Sequence, residues 1–589
     1  MKRIILTVIS SIITSIIFNN YNAFDVGFIF KTLLFMGIAY VCSKKEMKDH
    51  WTINIISALE SLFIVLGKQI ATVGYTSIVM LLQVIFVYPY FKAVNNTLFN
   101  YLGCDTIQHI LRVKRLPDSL KTALDSILGK TLIIFLGHCL FLSILYPGLL
   151  FVDTSIALKQ HANHIKLLHY SPIYTSILTI LLSKLDLTDK VGVIFPITLL
   201  NILIESFIYA LAIHRIRYKV KNQLFLTLMI ALSFVLGIFG LTICKDTIFV
   251  ALLSLITADI FVYLDTGKIK TSYLSLELLF ATILRNNLVY VLIVFVIIAF
   301  KYLKKLRQVF IVAIVLFFVY TGVLTNILGY RSDGLQETIS VPAQQIIRTY
   351  TNYPEDFNTD DKELMEKTFT KIALTYYLPQ CSDIAKERIN TDVIQKHSSD
   401  WLKLYLKQFL KHPTVYFDAT LANTYYLYYP ESIVNIYNNE QFIRYELFYN
   451  LNIPLEEINL EETYAEEYKN FKKYKNFIDI KTYVETDMEY LQNKKSYMLL
   501  FNLLNKVGYE KIPVLSMLFS FGNMFWLFLT VFFLSIYRKD KPMIITFGFL
   551  LIYFISILFG PCILLRYIYI LWVLLPIEIL YLTKRKGIS

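Results

Sequence analysis

Residues 131–151 read TLIIFLGHCLFLSILYPGLLF, an apolar run without a charge, and Asp153 stands just beyond it. As a helix rising about 1.5 Å per residue, a run of this length crosses the roughly 30 Å of bilayer hydrocarbon. Backbone amides inside lipid must bond within the segment, so the run is predicted to be a helix. The alternation of outer-membrane barrel strands is absent. Asp153 is then an acid at the mouth of a membrane helix. Sixteen residues later, His169-Tyr170-Ser171-Pro172-Ile173-Tyr174 opens a second apolar stretch.

The rest of the chain repeats this pattern. Its 589 residues are 56% hydrophobic, 15% aromatic and 17% charged, with a mean hydropathy of +0.54; soluble domains carry about 25% charged residues. About fourteen segments are predicted to span: 3–18, 25–43, 52–67, 75–92, 131–151, 191–213, 223–243, 247–264, 270–284, 287–301, 308–327, 511–536, 541–558 and 562–583. The net charge of +13 comes from basic loops between these segments, which is an orientation signal and not a nucleic-acid surface. With the N-terminus cytoplasmic, the loops at Lys44-Lys45, Arg112–Arg115, His214–Lys219, Lys304–Arg307, Arg538–Lys541 and Lys584–Lys586 all fall inside. Asp153 and residues 328–510 fall outside, and the C-terminus inside. Segments 270–284 and 287–301 both cross or neither does. Met1-Lys2-Arg3 with Ile4–Phe18 resembles a signal peptide but lacks a clean cleavage site, so it reads as an uncleaved span.

The expected fold is an all-α polytopic membrane protein with an extracytoplasmic, mainly α soluble domain. Its parts are a four-helix N-terminal membrane segment (1–92), a basic cytoplasmic connector (93–130) and a membrane module (131–327) with its first outer loop at 152–190. The outer domain (328–510) and the C-terminal membrane helices (511–589) follow. Within the loop, Ser171–Leu185 is too short to span and reads as an interfacial helix. Helical patterning is expected at 360–377 and 398–411. The run from Glu456 to Lys475 reads as a solvated face. Six cysteines lack CxxC or metal-ligand spacing and form no disulfide framework.

Candidate chemistry sits at the outer ends of the spans. Asp153 is placed to take a proton from an acceptor hydroxyl; its plain reading is a polar residue ending a helix. His169 suits a phosphate or substrate, and Pro172 fits a first helical turn. Lys245 suits a lipid-linked phosphate and Asp246 could assist a metal or the base. Arg285, in Arg285-Asn286-Asn287, and Arg566 interrupt apolar runs, where charge is costly and function is the default reading. Glu60, Glu205, Asp259 and Glu277 inside apolar runs are ion-pair candidates. No nucleotide-binding loop, GxSxG or EF-hand pattern is present.

The ordered set Tyr146-Pro147-Gly148, Asp153-Thr154-Ser155, His169–Tyr174, Lys245-Asp246, Leu284–Asn287, Pro342–Ile346, Lys411-His412-Pro413 with Tyr416–Ala419, and Arg566-Tyr567 resembles the GT-C superfamily of polytopic glycosyltransferases. Within it, the chain is similar to an uncharacterised bacterial family of GT-C-like membrane proteins. The resemblance implies a sugar transferase of the cell membrane, with a polyprenyl-phosphate-linked sugar as donor and an envelope glycan or lipid as acceptor. It implies a catalytic Asp153 and phosphate or substrate roles for His169, Lys245 and Arg285. Thr154 stands where a second acid often follows, and a single Pro172 stands where two prolines often do. A divalent metal, Mg or Mn, is the one cofactor considered, with no ligand set readable for it. The alternatives are a lipid or polysaccharide transporter or flippase, and an envelope polymerase or ligase.

Overall fold

A computed structural model describes residues 2–17, 26–101, 123–150, 153–154, 157, 166–168, 170–182, 190–220, 222–268, 271–298, 303–331, 335–375, 379, 381–386, 388–431 and 516–583. His169 and the run 456–475 lie outside them, as do most of the connector and of residues 432–510. The described chain is almost wholly helical. The first four helices are α1 (Lys2–Ile17), α2 (Val26–Ser43), α3 (Trp51–Val73) and α4 (Ile78–Tyr101). Then come α5 (Ile127–Ile144), strand β1 (Leu149–Leu150), α6 (Pro172–Leu182), α7 (Lys190–Arg215), α8 (Gln223–Ala231), α9 (Phe234–Gly240) and strand β2 (Thr242–Ile243). Helices α10 (Lys245–Thr266), α11 (Thr271–Leu284), α12 (Leu288–Ile298) and α13 (Lys304–Asn326) complete the middle of the chain.

Each predicted span overlaps at least one helix, the run 223–243 overlapping two. Among the described residues, seven helical stretches are long and apolar enough to cross a membrane: Trp51–Val73, Ile127–Ile144, Ile194–Arg215, Lys245–Thr266, Lys304–Asn326, Phe521–Arg538 and Leu565–Thr583. An eighth appears if α8 and α9, bent by 59°, count as one span. The chain is therefore an all-α membrane protein. Hydroxyls within the spans return to their own backbone: Ser57 to Ile53 O at 2.7 Å and Thr257 to Leu253 O at 2.7 Å. Such bonds satisfy these two hydroxyls within their own helices.

Two expectations about span ends are corrected. The run 131–151 is not helical to its end. Its helix stops at Ile144 because Pro147 has no N–H to donate and Gly148 takes φ 116°. The chain then forms β1, which pairs in parallel with β2, Leu149 facing Thr242 and Leu150 facing Ile243. Asp153 therefore stands beyond a strand, in a helical turn with Thr154, and not at the end of α5. The run 223–243 is broken at Ser233, whose hydroxyl caps α9 by accepting from Leu236 N at 3.4 Å. The short helix expected within 171–185 appears as α6, which faces Leu178 and Tyr174 inward and exposes Ile177 and Ile180.

A second core gathers Ile339, Ile346, Ile347, Phe357, Met365, Phe369, Trp401 and Leu404. It is built by α14 (Ser340–Asn352), α15 (Thr359–Thr368), α16 (Ser398–Lys411) and short helical turns; the expected patterning at 398–411 takes helical form, and that at 360–377 does so over Thr359–Thr368 and Lys371–Thr375, with Phe369 bridging Ile389 between them. Helix α17 (Pro413–Tyr428) then carries the chain back into the main core, where Ala422, Tyr425, Leu427 and Tyr428 are buried. Its Asp418 accepts from the backbone and hydroxyl of Thr76, at 3.1 and 2.7 Å, in the turn between α3 and α4. Arg348 of α14 donates to Gly74 O in that same turn. Helices α18 (Phe521–Arg538), α19 (Lys541–Ile557) and α20 (Ile570–Thr583) close the bundle.

Two outcomes follow. A Cβ at Gly148 would lie 2.1 Å from Thr198 Oγ1, at a φ that side chains avoid. Gly148→Ala is expected to cost on the order of 1–3 kcal/mol, seen as a lower Tm of the detergent-purified protein. In the second core, Lys411 and then His412 hold the Asp356 carboxyl below its usual range. A lowered folded-state pKa adds stability that is complete above the unfolded value of about 3.9 and fades as pH falls through the folded value. Asp356→Asn should remove that acid-side loss, so the Tm gap between wild type and variant narrows as pH drops below about 4.

Candidate functional site

The β1–β2 ladder sets two acids side by side. Thr154 donates its hydroxyl to Ile243 O at 2.8 Å, which fixes Asp153 against the start of α10. Cys244 caps that helix, its sulfur accepting the Asp246 N–H at 3.4 Å. Asp246 thus occupies a first turn, where unpaired helix N–H groups favour an anion.

The cations arrive from two other places. Helix α10 ends at Gly267, φ 69°, and α11 runs back beside it. The residue after α11 is Arg285, whose Nη1 lies 3.4 Å from Asp246 Oδ1. Near the C-terminus, the helical turn Leu565–Ile568 supplies Arg566. Its Nη1 pairs with Asp153 Oδ2 and lies 3.8 Å from Asp246 Oδ2. Tyr567 is the platform between the two guanidinium groups, with Arg285 4.1 Å and Arg566 4.9 Å from its ring centre. Lys245 Nζ lies 5.9 Å from the Tyr170 ring centre.

Burial decides how these groups behave. Side-chain exposure is 4% for Asp246, 8% for Arg566, 12% for Arg285 and 14% for Asp153. Charges this enclosed persist only when matched. Two carboxylates against Lys245, Arg285 and Arg566 leave the cluster one positive charge in excess, which suits an anion. The Cys244 thiol donates to Asp246 Oδ2 at 3.5 Å. Burial, and next the Asp246 carboxylate, push that thiol well above its ordinary range, so it stays protonated.

The structure joins Asp153, Lys245, Asp246, Arg285 and Arg566 at one end of the bundle. His169 lies outside the described residues, but both its neighbours reach this end. Leu168 O accepts from Asn286 at 3.4 Å, and Tyr170 faces Lys245. Ser171 takes φ 56°, uncommon for a residue with a side chain. Glu60 accepts from Asn95 at 2.6 Å and Asp259 pairs with Arg215 at 3.1 Å. Glu205 accepts from Asn201 at 2.6 Å, and Asn201 also donates to Thr242 O and Thr247 Oγ1, so this acid stands beside β2 and the first turn of α10.

Sequence reasoning treated Asp153 as a lone acid. Asp246 is its neighbour in space, both acids reaching Arg566 Nη1. Roles for Cys244, Tyr170 and Tyr567 were missed; only their adjacency to Lys245, His169 and Arg566 marked them. Among the described residues no group of three or more His, Cys, Asp or Glu is placed to hold a metal. Asp153 and Asp246 close on arginines instead, so the donor set does not fit a protein-held Mg or Mn ion, which takes about six oxygen ligands.

A family model described as a family of unknown function (DUF6020) matches residues 171–586. The chain belongs to that family. Lys245, Asp246, Arg285 and Arg566 lie within the matched residues, and Asp153 and His169 precede them. No curated protein and no solved structure matches the chain.

Asp246→Ala would leave Arg285 and Arg566 short of a buried partner. The expected cost is about 3–5 kcal/mol, read as a fall in Tm, with Asp246→Asn milder because it keeps the shape and an oxygen acceptor for the guanidinium groups.

Proposed function

We propose that the chain is a membrane glycosyltransferase that moves a sugar from a polyprenyl-phosphate-linked donor to a cell-envelope glycan or lipid. The observation that supports this is the cluster of two carboxylates and three cations at one bundle end, with its excess positive charge. On this reading all fourteen segments cross the cell membrane, both termini are cytoplasmic, and the cluster and residues 328–510 face outward. The return of α11 from the far end of α10 to Asp246 fits the version in which both 270–284 and 287–301 cross. The second core then covers the site, in line with the bond from Ser382 N to Pro561 O at 2.8 Å, close in sequence to Arg566.

The reaction is a displacement at the anomeric carbon. The acceptor oxygen bonds to that carbon, and the bond from carbon to phosphate oxygen breaks with its electron pair going to the phosphate. Asp153 takes the acceptor proton. Lys245, Arg285 and Arg566 stand where the leaving phosphate gains charge, the placement that lowers a barrier most. The ion pair with Arg566 adds a condition. A carboxylate held by a guanidinium is a weak base, so Asp153 becomes effective once the donor phosphate draws Arg566 away. Donor binding and base activation are then one event, and the empty enzyme is protected from using water as acceptor.

The test is glycan analysis of a strain lacking the gene, complemented with variants at matched membrane levels. Asp153→Asn should reduce modification on the order of 10²–10⁴-fold. Arg566→Lys should retain more of it than Arg566→Ala. Full modification by Asp153→Asn would remove Asp153 as the base. An unchanged glycan profile in the deletion strain, with lipid-linked sugars accumulating on one leaflet, would point to transport.

A further inference from the structure

Residues 379–382 bridge the second core and the membrane bundle. Gln344 of α14 donates Nε2 to Pro379 O at 2.6 Å. Ser382 donates its N–H to Pro561 O at 2.8 Å and its hydroxyl to the same oxygen at 3.1 Å. Asn423 of α17 donates to Gly560 O at 2.9 Å. The turn at Gly560-Pro561 is therefore gripped from two sides.

Cysteines flank this grip on both strands. Cys381 precedes Ser382 and Cys562 follows Pro561. Both are present as thiols and each is 2% exposed. Standard bond lengths along the path from Cys381 Cα through Ser382 N and Pro561 O to Cys562 Cα cap the separation at about 8 Å. Disulfides span Cα separations of about 4.4–6.8 Å. The other described cysteines, Cys42, Cys139 and Cys244, lie in different helical surroundings.

We propose that Cys381 and Cys562 are a disulfide modification site that fastens the second core to the Gly560-Pro561 turn. An oxidised thiol–disulfide partner supplies the oxidation. One thiolate attacks the partner's disulfide, giving a mixed disulfide and releasing one partner thiol. The second thiolate displaces the other partner thiol, and a single S–S bond remains. Two protons and two electrons leave the pair, and the partner's disulfide ends as two thiols. Burial confines the exchange to moments when residues 379–382 have not docked or have lifted. Once closed, the same burial shields the bond from reductants. Arg566 lies four residues beyond Cys562 in sequence, so closing the bond also restrains the turn that presents it. Nothing in the pairing depends on the transfer reaction.

The test uses the full chain in native membranes. Samples are treated with diamide or left untreated, then quenched, denatured and tagged with polyethylene-glycol maleimide. Wild type should carry two fewer tags after diamide, and dithiothreitol should restore them. Diamide should remove no tags from Cys381→Ser or from Cys562→Ser. Peptide mapping of wild type alone should show one linked peptide pair containing Cys381 and Cys562, a readout that survives poor folding of either variant. Equal tag numbers with and without diamide would overturn the assignment. So would a tag loss that persists in a single variant, or a linkage to any other cysteine.

Discussion

One arginine holds the functional end of this protein together. Arg566 stands between Asp153 and Asp246, and both acids belong to parts of the bundle that sequence keeps far apart. Enclosed charge is tolerated only when an opposite charge is in reach. The β1–β2 ladder, the cap at Cys244, the return of α11 and the turn before α20 all serve this requirement. Shifting any one of them by a few ångströms would strand a carboxylate or a guanidinium in apolar surroundings. The site and the helix packing are in that sense the same problem solved once.

The apolar segments were legible because lipid imposes a length and a composition that can be read locally. Each of the fourteen overlaps helix, and among the described residues seven helical stretches, from Trp51–Val73 to Leu565–Thr583, are long and apolar enough to cross. Their ends were less legible. Pro147, Gly148 and Ser233 stop or bend helices inside runs that stay apolar, so hydropathy passes over them. The site residues were legible one at a time, each as a charge beside a span. Their pairing was not, because local spacing carries no information about which loop meets which. Asp153 therefore looked alone, and Asp246 looked like an assistant to a metal or the base.

The second core is tied to the bundle at separated points. Arg348 and Asp418 grip the turn at Gly74–Thr76, and Ser382 and Asn423 grip the turn at Gly560-Pro561. The N-terminal helices and the C-terminal helices are thereby joined to the same body. Helix α17 strengthens this by running from the second core into the main one. Under the proposed reaction, such a body would hold its position above the cluster through several independent contacts, and a single contact could open without releasing the rest.

The wide spacing of the site in sequence also bears on how the protein is made. Asp246 and Arg285 leave the ribosome close together and can neutralise each other as their helices insert. Asp153 is synthesised earlier than both, and its partner arrives only with the final membrane segment. For most of translation that carboxylate must remain protonated, hydrated at the surface or held by some other cation. Insertion of the last helix is then the event that completes the electrostatics of the segment after β1. A chain truncated ahead of residue 566 would carry nearly every helix yet leave this acid without its designed counter-ion, a defect that membrane quality control could sense.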